Sequence, residues 1–313
     1  MTLPPPMRLL FAGLLAVLLG GCHSVNKLAV NKLGDALAEG GTNFSSDSDP
    51  ELIRDAAPFS LKLMETLLTE NPRHAGLLSA AASGFTQYSY AFVQQEADMM
   101  ENRDVAAATR LRARARGLYL RGRDYGLRGL ELAHPGLNVA LRSNPQAALH
   151  LCQPADARLL YWTAVSWAAA IACSKDDPHL IADLPLAEAL IDRALELDEA
   201  YDHGAIHTFL ITYEMARAGS TKDPVARSRH HFERAMSLSD QAQASPLVAY
   251  AEAVCVQQQD RAQFQTLLQQ ALALDVNVHP EFRLVNLVMQ QRARWLLGRV
   301  DELFLPVDSS ASP

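Results

Sequence analysis

The chain has 313 residues, of which 49% are hydrophobic and 20% are charged, and its formal net charge is −7. An acidic protein repels phosphate backbones, so nucleic acid is not an expected partner. No acidic or basic run is long enough to form an interaction tail.

The N-terminus has the layout of a secretory signal. Arg8 is the only charged residue among the first 21, and an apolar stretch extends from Leu9 to Leu19. A helix needs about 20 apolar residues to cross a bilayer, so this shorter stretch predicts an export signal rather than a permanent span. The segment Leu19-Gly20-Gly21-Cys22 resembles the bacterial lipobox, which implies removal of residues 1–21 and lipid attachment at the Cys22 thiol. An ordinary secretory signal or a buried N-terminal helix are the alternatives.

A lipidated Cys22 predicts that the mature protein stays on a membrane surface. Each buried lipid CH₂ contributes about 0.8 kcal/mol, so two or three acyl chains hold a protein firmly. Residue 23 is His rather than Asp, and in enteric-type sorting an Asp there retains lipoproteins on the inner membrane. The expected location is therefore the periplasmic face of the outer membrane.

Beyond the signal, the sequence predicts an all-α fold of about ten helices. Ala, Leu, Arg, Gln and Glu dominate, apolar residues recur at spacings of three and four, and alternating β-branched runs are missing. We expect a lipidated tether at 22–50, a helical domain at 51–304 and a disordered tail at 305–313. The helices are predicted at 51–70, 75–101, 104–133, 155–174, 185–197, 203–218, 223–238, 246–258, 260–273 and 279–297.

Three predicted helices end alike, which indicates internal repetition. The endings lie at 193–198 (RALELD), 234–239 (RAMSLS) and 270–275 (QALALD), with spacings of 41 and 36 residues. These are close to the tetratricopeptide period of about 34 residues. One helix pair of this kind cannot bury its apolar face alone, so four or five pairs are expected to stack into a solenoid or bundle.

Several longer blocks match a narrower pattern than generic tetratricopeptide sequence. They are residues 118–127 (LYLRGRDYGL), the Tyr161 to Ala170 segment, 182–185 (ADLP) with 193–198, 204–207 (GAIH), Tyr213-Glu214, 229–232 (RHHF), 250–252 (YAE), 290–297 (QQRARWLL) and 301–304 (DELF). Together these blocks resemble the TatT component family of TRAP transporters, the tripartite ATP-independent periplasmic systems, over residues 31–304.

This resemblance implies a non-enzymatic, tetratricopeptide-like periplasmic lipoprotein that forms a homotrimer. It also implies that the protein binds the solute-binding protein of its transport system, with an apolar or lipid-like small molecule passing between the two. The alternative function is an envelope or outer-membrane assembly scaffold, because tetratricopeptide lipoproteins also bind other proteins through concave grooves.

Two groups of residues are candidate ligand or partner contacts. Aromatic side chains offer broad apolar area with polar edges, although at such places in helix pairs they also form core. The arginines belong to a charged part of the third predicted helix that includes Arg116, and either bind a partner or form a solvated face with local ion pairs. The candidates are Tyr161, Trp162, Trp167, His207 and Tyr213 in the first group, and Arg121 and Arg123 in the second.

The sequence predicts neither a metal site nor a catalytic centre. His203 and His207 have the four-residue spacing at which two imidazoles on one helix meet a metal, but two ligands do not make a site, and core or capping roles are favoured. No nucleophile elbow, phosphate loop or Cys-x-x-Cys motif occurs. Cys152, Cys173 and Cys255 are expected to be buried thiols, and Glu302 is a candidate partner for Arg292 and Arg294.

Overall fold

The computed structural model describes residues 31–38, 44–217 and 223–306. The predicted signal peptide, Cys22 and the predicted tail from residue 307 onward lie outside these ranges. No strand occurs in the described ranges, which confirms the all-α prediction. From residue 50 onward, the helices are α1 (Pro50–Glu70), α2 (Ala75–Tyr88, continued by π-helical Ser89–Gln94 and α-helical Gln95–Met100), α3 (Val105–Ala133), α4 (Leu137–Ser143), α5 (Pro145–Leu149), α6 (Ala157–Ala172), α7 (Pro178–Ile181), α8 (Leu184–Leu197), α9 (Tyr201–Ala216), α10 (Pro224–Leu238), α11 (Ala244–Tyr250, continued by π-helical Ala251–Cys255 and α-helical Val256–Gln258), α12 (Arg261–Ala273), α13 (Arg283–Leu297) and α14 (Val300–Leu303). The sequence did not predict the four short helices α4, α5, α7 and α14.

Aspartate side chains start many of these helices. Asp49 accepts hydrogen bonds from the backbone N–H groups of Glu51 (3.1 Å) and Leu52 (3.0 Å), and Pro50 occupies the first turn as predicted. Such a cap satisfies donors that have no partner inside the helix, and its loss costs about 1 kcal/mol. Asp104, Asp177, Asp223 and Asp260 cap α3, α7, α10 and α12 in the same way.

Helix α3 lies at the centre of the N-terminal half, where five of its seven buried residues are small. Gly122, Gly126 and Gly129 share its buried side with Ala108 and Ala115, and the α2 and α6 helices pack against it. A Cβ atom on Gly122 would lie 2.8 Å from the Thr86 Oγ1 of α2. Glycine at these positions therefore lets the backbones of neighbouring helices approach closely.

The hydrophobic core has two clusters that meet in α9. The first contains buried residues from Ala57 to Leu210, and the second extends from Ile211 to Phe304. Helices that follow one another pack side by side, as in stacked helix pairs. Residues 31–38, placed by the sequence in a tether, are helical, and the Asn31 side chain accepts a hydrogen bond of 2.8 Å from Asn71.

The last helices return to the first ones. Arg292 of α13 is within 3.3 Å of Asp98 of α2, Glu302 of α14 accepts a hydrogen bond of 3.0 Å from Asn102, and Arg283 donates to the Ser46 carbonyl at 2.9 Å. A linear solenoid keeps its terminal repeats apart. This array of helices instead closes on itself at the contact between α2 and α13.

The start of α9 departs from the helix that the sequence predicts from residue 203. Asp202, His203 and Gly204 have positive φ angles of 46°, 55° and 88°. Because left-handed conformations are costly for non-glycine residues, surrounding contacts must hold this segment. His203 lies edge-on against Phe282 with ring centroids 4.9 Å apart. It therefore does not occupy the helical turn before His207, and the four-residue spacing does not bring the two imidazoles onto one helix face.

Candidate functional site

Two π-helical turns face the contact between α2 and α13. One is Ser89–Gln94 in α2, and the other is Ala251–Cys255 in α11. A π-turn inserts an extra residue into a helix, and such turns are frequent at functional sites. Here they place Tyr90 and Gln94 on one side and Glu252 on the other side of a shared polar network. We refer to the region formed by α2, α11 and α13 as the closure site.

Arg292 is the central residue of the closure site. It is 6% exposed and forms two hydrogen bonds with the Glu252 carboxylate, at 2.8 Å from Nε and 2.6 Å from Nη2. Both terminal nitrogens also lie 3.3 Å from Asp98 Oδ2. Burial alone would lower the pKa of Arg292, but Tyr90, Glu252 and Asp98 outweigh burial and raise it. The guanidinium therefore stays charged between two carboxylates.

The same network extends to α3. Arg112 Nη2 lies 3.4 Å from Asp98 Oδ1, and Arg112 also binds Glu101 at 2.9 and 2.8 Å. Burial raises the pKa of Asp98 despite its attraction to Arg292 and Arg112. Protonation of Asp98 would weaken its contact with Arg292, which joins α2 to α13. Because burial favours the protonated carboxyl, it opposes this ion pair, whereas the two arginines support it.

Tyr90 and Gln94 lie on the π-turn of α2. Tyr90 is 38% exposed, and partial burial raises the pKa of its phenol. Nearby, the Tyr119 hydroxyl donates a hydrogen bond of 2.6 Å to Gln94 Oε1, and the Cys173 Sγ is 4.0 Å from the same oxygen. Gln94 thus links α2 to α3 and to the end of α6.

A cleft of about 290 Å³ opens beside the closure site. In the described part of the chain, its two exposed arginines, Arg103 and Arg294, form no ion pair. Arg299 instead binds Glu302 at 2.8 Å and stacks 4.7 Å from the Trp295 ring. Glu302 is therefore the partner of Arg299, and Arg292 pairs with Glu252 and Asp98, contrary to the pairing considered from the sequence. The lining residues are Asp98, Met99, Asn102, Arg103, Arg294, Trp295, Gly298, Arg299 and Glu302.

Among the aromatic candidates from the sequence, Tyr161 belongs to the buried core, whereas Trp162 and Tyr213 are partly exposed and pack against it. Tyr161 is buried and its ring centroid is 5.3 Å from that of Tyr201. Trp162 is half-buried and donates a hydrogen bond of 3.1 Å to the Tyr201 hydroxyl. Tyr213 donates a hydrogen bond of 3.0 Å to Glu188. These side chains join α6 to α9 and α8 to α9. That they also contact a ligand or partner stays a prediction.

Trp167 is 1% exposed, and its indole N–H forms no hydrogen bond in the described residues. The Arg123 guanidinium lies 5.2 Å from its ring centroid, so this pair of candidates is in contact. Arg123 also donates to Asp124 at 2.9 and 2.7 Å. A charged group over an aromatic face gains about 0.5–2 kcal/mol, depending on desolvation.

Arg121 points to the opposite side of α3. It forms an ion pair with Glu65 of α1 and lies 4.6 Å from the Phe85 ring centroid. Tyr125 donates to the same Glu65 carboxylate at 2.9 Å. Arg121 and Arg123 therefore take part in local pairs on two sides of α3, and no common arginine surface forms between them.

His207 is fully buried and contacts a second histidine. Its Nδ1 lies 2.8 Å from Nδ1 of His231 in α10, and its Nε2 lies 3.3 Å from Glu199. Two ring nitrogens at this distance share one proton, so at least one of the rings is neutral. Burial, together with the neighbouring His207, lowers the pKa of His231 to about 4, and burial also lowers the pKa of His207.

This histidine pair predicts a loss of stability in acid. Between pH 6.5 and 4 the unfolded chain binds the His231 proton and the folded chain does not, so stability falls with falling pH by up to about 1.4 kcal/mol per unit. Urea unfolding at several pH values measures this slope. We expect the slope to be smaller in His231→Gln, because that chain lacks the proton that His231 binds on unfolding. The slope should be unchanged in His150→Gln, the control at an exposed position. An equal slope in both variants would contradict the prediction.

Sequence reasoning missed Asp98, Tyr90 and Glu252 as members of one site. Asp98 and Arg292 are 194 residues apart, and no spacing rule connects them. The only local signal was the occurrence of Glu252 and Arg292 in two of the family-like blocks, at 250–252 and 290–297.

Comparisons with known proteins agree with the resemblance seen in the sequence. A family model described as "TRAP transporter T-component" matches residues 46–304. A protein of Treponema pallidum (strain Nichols), described as an uncharacterized protein, is 31% identical over 313 residues. The alignment covers 94% of this chain and 97% of the relative.

Proposed function

The chain belongs to the TRAP transporter T-component family, and we propose that it is a non-enzymatic accessory lipoprotein that docks the solute-binding protein of a TRAP system. The observation that supports a docking role best is the cleft beside the closure site. It combines a tryptophan with two exposed arginines that form no ion pair with any residue of the described ranges, and arginine and tryptophan are the residue types enriched at protein interfaces.

The charge of the cleft argues for an acidic surface on the partner. The whole chain has a formal charge of −7, so the exposed Arg103 and Arg294 form a local exception to an acidic protein. Complementary charges accelerate association and suppress wrong partners. We therefore propose that carboxylates of the solute-binding protein contact Arg103 and Arg294, with Trp295 packing between them.

Tyr90 is a candidate contact for the proposed apolar small molecule. Its ring is 38% exposed, and its phenol lies near Asp98, which also lines the cleft. A ligand released by a partner docked at the cleft would therefore have an aromatic ring and a polar network as neighbours.

We propose that lipid on Cys22 holds the protein at the periplasmic face of the outer membrane. No helix in the described residues is long and apolar enough to span a bilayer. We also propose self-association, which the family resemblance implies as a trimer. The exposed side chains of Leu52 and Phe59 are seven residues apart on α1 and share one face, which offers an apolar surface for a second copy.

The test begins with affinity purification of the lipidated protein from its native membrane. Mass spectrometry identifies the proteins and extractable small molecules that co-purify, and light scattering gives the mass of the particle. We expect a solute-binding protein together with an apolar molecule. Recovery of envelope-assembly proteins without a solute-binding protein would favour the scaffold alternative and overturn the proposal. Release of the protein from membranes in a Cys22→Ser variant tests the anchor separately.

The contribution of the cleft is measured with a charge reversal and a matched control. We expect Arg103→Glu/Arg294→Glu to weaken the affinity for the recovered solute-binding protein at least about tenfold, which is about 1.4 kcal/mol. The control is Arg73→Glu/Arg229→Glu, which makes the same change in total charge at exposed positions outside the cleft. Equal weakening by both pairs would show that net charge, and not this cleft, governs the association.

A further inference from the structure

Three side chains of different chemical types meet at the end of α3. Ligand atoms of His134, Cys152 and Asp156 all lie within 4.8 Å of one another. The His134 Nε2 is 2.8 Å from Asp156 Oδ2. Cys152 is fully buried, and its thiol forms no hydrogen bond in the described residues. From Arg112 at the closure site to His134, the helix rises about 33 Å at 1.5 Å per residue, so this cluster is remote from that site.

We propose that His134, Cys152 and Asp156 bind one zinc-type divalent cation. Imidazole nitrogen, thiolate sulfur and carboxylate oxygen are the three ligand types that proteins offer to Zn²⁺. Three protein ligands leave a fourth tetrahedral position for water. The neutral imidazole, the thiolate and the carboxylate together carry two negative charges, so a divalent cation gives a complex without net charge. Neutrality matters here because an uncompensated charge in a buried site is costly.

Backbone contacts hold each of the three residues in place. The His134 N–H donates to the Leu130 carbonyl at 2.8 Å where α3 ends. The Cys152 carbonyl accepts a hydrogen bond of 2.9 Å from Arg193 of α8. Asp156 Oδ2 accepts one of 2.8 Å from the backbone N–H of Gln153. The contact to Asp156 reaches a ligand atom, and outer contacts of that kind orient metal ligands and contribute to metal affinity.

The Cys152 thiol is the feature that distinguishes a cation site from a simple ion pair between His134 and Asp156. The bond between His134 and Asp156 accounts for those two side chains without any metal, but it leaves the Cys152 thiol unused. Burial and the Asp156 charge raise the pKa of Cys152 to about 11, so the thiol is protonated when no cation is bound. Cation binding forms a metal–sulfur bond and releases one thiol proton to solvent, while His134 coordinates as the neutral imidazole.

A bound cation would connect parts of the fold that are not neighbours in sequence. His134 ends α3, Cys152 lies in the loop after α5, and Asp156 belongs to the 3₁₀ turn Pro154–Asp156 that precedes α6. Both α3 and α6 belong to the first core cluster and pack against each other. The proposed cation would therefore fix the loop over the end of this helix pair, independently of the docking function.

The experiment uses Co²⁺ as a spectroscopic substitute for Zn²⁺ on the full chain purified in detergent and stripped with a chelator. We expect one equivalent of Co²⁺ to produce a thiolate-to-metal charge-transfer band in the near ultraviolet, and one equivalent of Zn²⁺ to abolish that band. The band should be missing in Cys152→Ser and present in Cys255→Ser, which removes another buried thiol. Absence of the band in the unaltered protein, or its persistence in Cys152→Ser, would overturn the proposal.

A second variant keeps the test decisive if Cys152→Ser does not fold. His134→Gln leaves the thiol intact, and circular dichroism verifies its helix content. We expect its affinity for Co²⁺ to fall at least about tenfold, since even outer-contact changes at metal sites have effects of 10–100-fold. An unchanged affinity in a folded His134→Gln protein would overturn the proposal, because His134 would then not be a ligand of the metal.

Discussion

Replacing Arg292 with methionine is expected to lower the free energy of unfolding by about 3 kcal/mol, the lower end of the range for a broken buried ion pair, because the two carboxylates that lose their counter-charge are only half-buried. Glu252 loses two hydrogen bonds, and Asp98 loses a charged neighbour while keeping Arg112. Methionine approximates the length of the arginine stem, so the loss reports on charge more than on volume. Urea unfolding followed by circular dichroism measures the difference.

The matched control for this prediction is Arg294→Met, two residues further along α13. Arg294 is exposed and forms no ion pair in the described part of the chain, so its replacement is expected to change the free energy of unfolding by less than about 0.5 kcal/mol. Adding Glu252→Gln to the Arg292→Met variant should recover at least about 1 kcal/mol, because the two sites are coupled. Equal effects of the two arginine replacements would contradict the role assigned to the closure site.

Replacing Gly126 with valine is expected to destabilise the protein by more than about 3 kcal/mol, at the upper end of the overpacking range. A Cβ atom at this position would overlap the Thr163 hydroxyl and lie 3.0 Å from its Cβ and 3.3 Å from its Cα. Two of these atoms are close to or part of the α6 backbone, so no side-chain rotation can relieve the contact. The helices α3 and α6 would have to separate.

Gly117 in the same helix provides the control. A Cβ atom at Gly117 would meet no atom within 4 Å, and the helix there already has the α conformation. Gly117→Val is therefore expected to change the free energy of unfolding by less than about 1 kcal/mol, because only helix propensity differs. Thermal unfolding of the two variants distinguishes close packing at Gly126 from a general intolerance of α3 to valine.

Much of the fold follows from local sequence. Apolar spacing predicted the ten long helices, and Asp49-Pro50 predicted the start of α1, since periodicity and capping involve residues only a few positions apart. The missed helices α4, α5, α7 and α14 have seven residues or fewer, which is too short for a period to be recognised. The order and spacing of the family-like blocks also indicated the correct family, although no single block is diagnostic.

The candidate site needed the tertiary structure. A π-turn differs from an α-turn by one inserted residue and has no local composition of its own, so neither Tyr90 nor Glu252 could be assigned to one. Tyr161 and Trp167 were candidates from the sequence because a large ring can either pack in the core or contact a ligand. The structure shows both rings buried in the core.

The sequence by itself determined the helical class and the family, and it predicted repeated helix pairs and a lipidation signal. All of these depend on patterns within short stretches. Only the tertiary structure decided that Arg292 meets Asp98 and Glu252, that His207 meets His231, and that His134 lies beside Cys152 and Asp156. The physical reason is that the choice of an ionic or metal-ligating partner depends on which helix ends become neighbours. Which helix ends become neighbours depends on how all the apolar helix faces pack together. The spacing of residues within a short stretch does not contain that information.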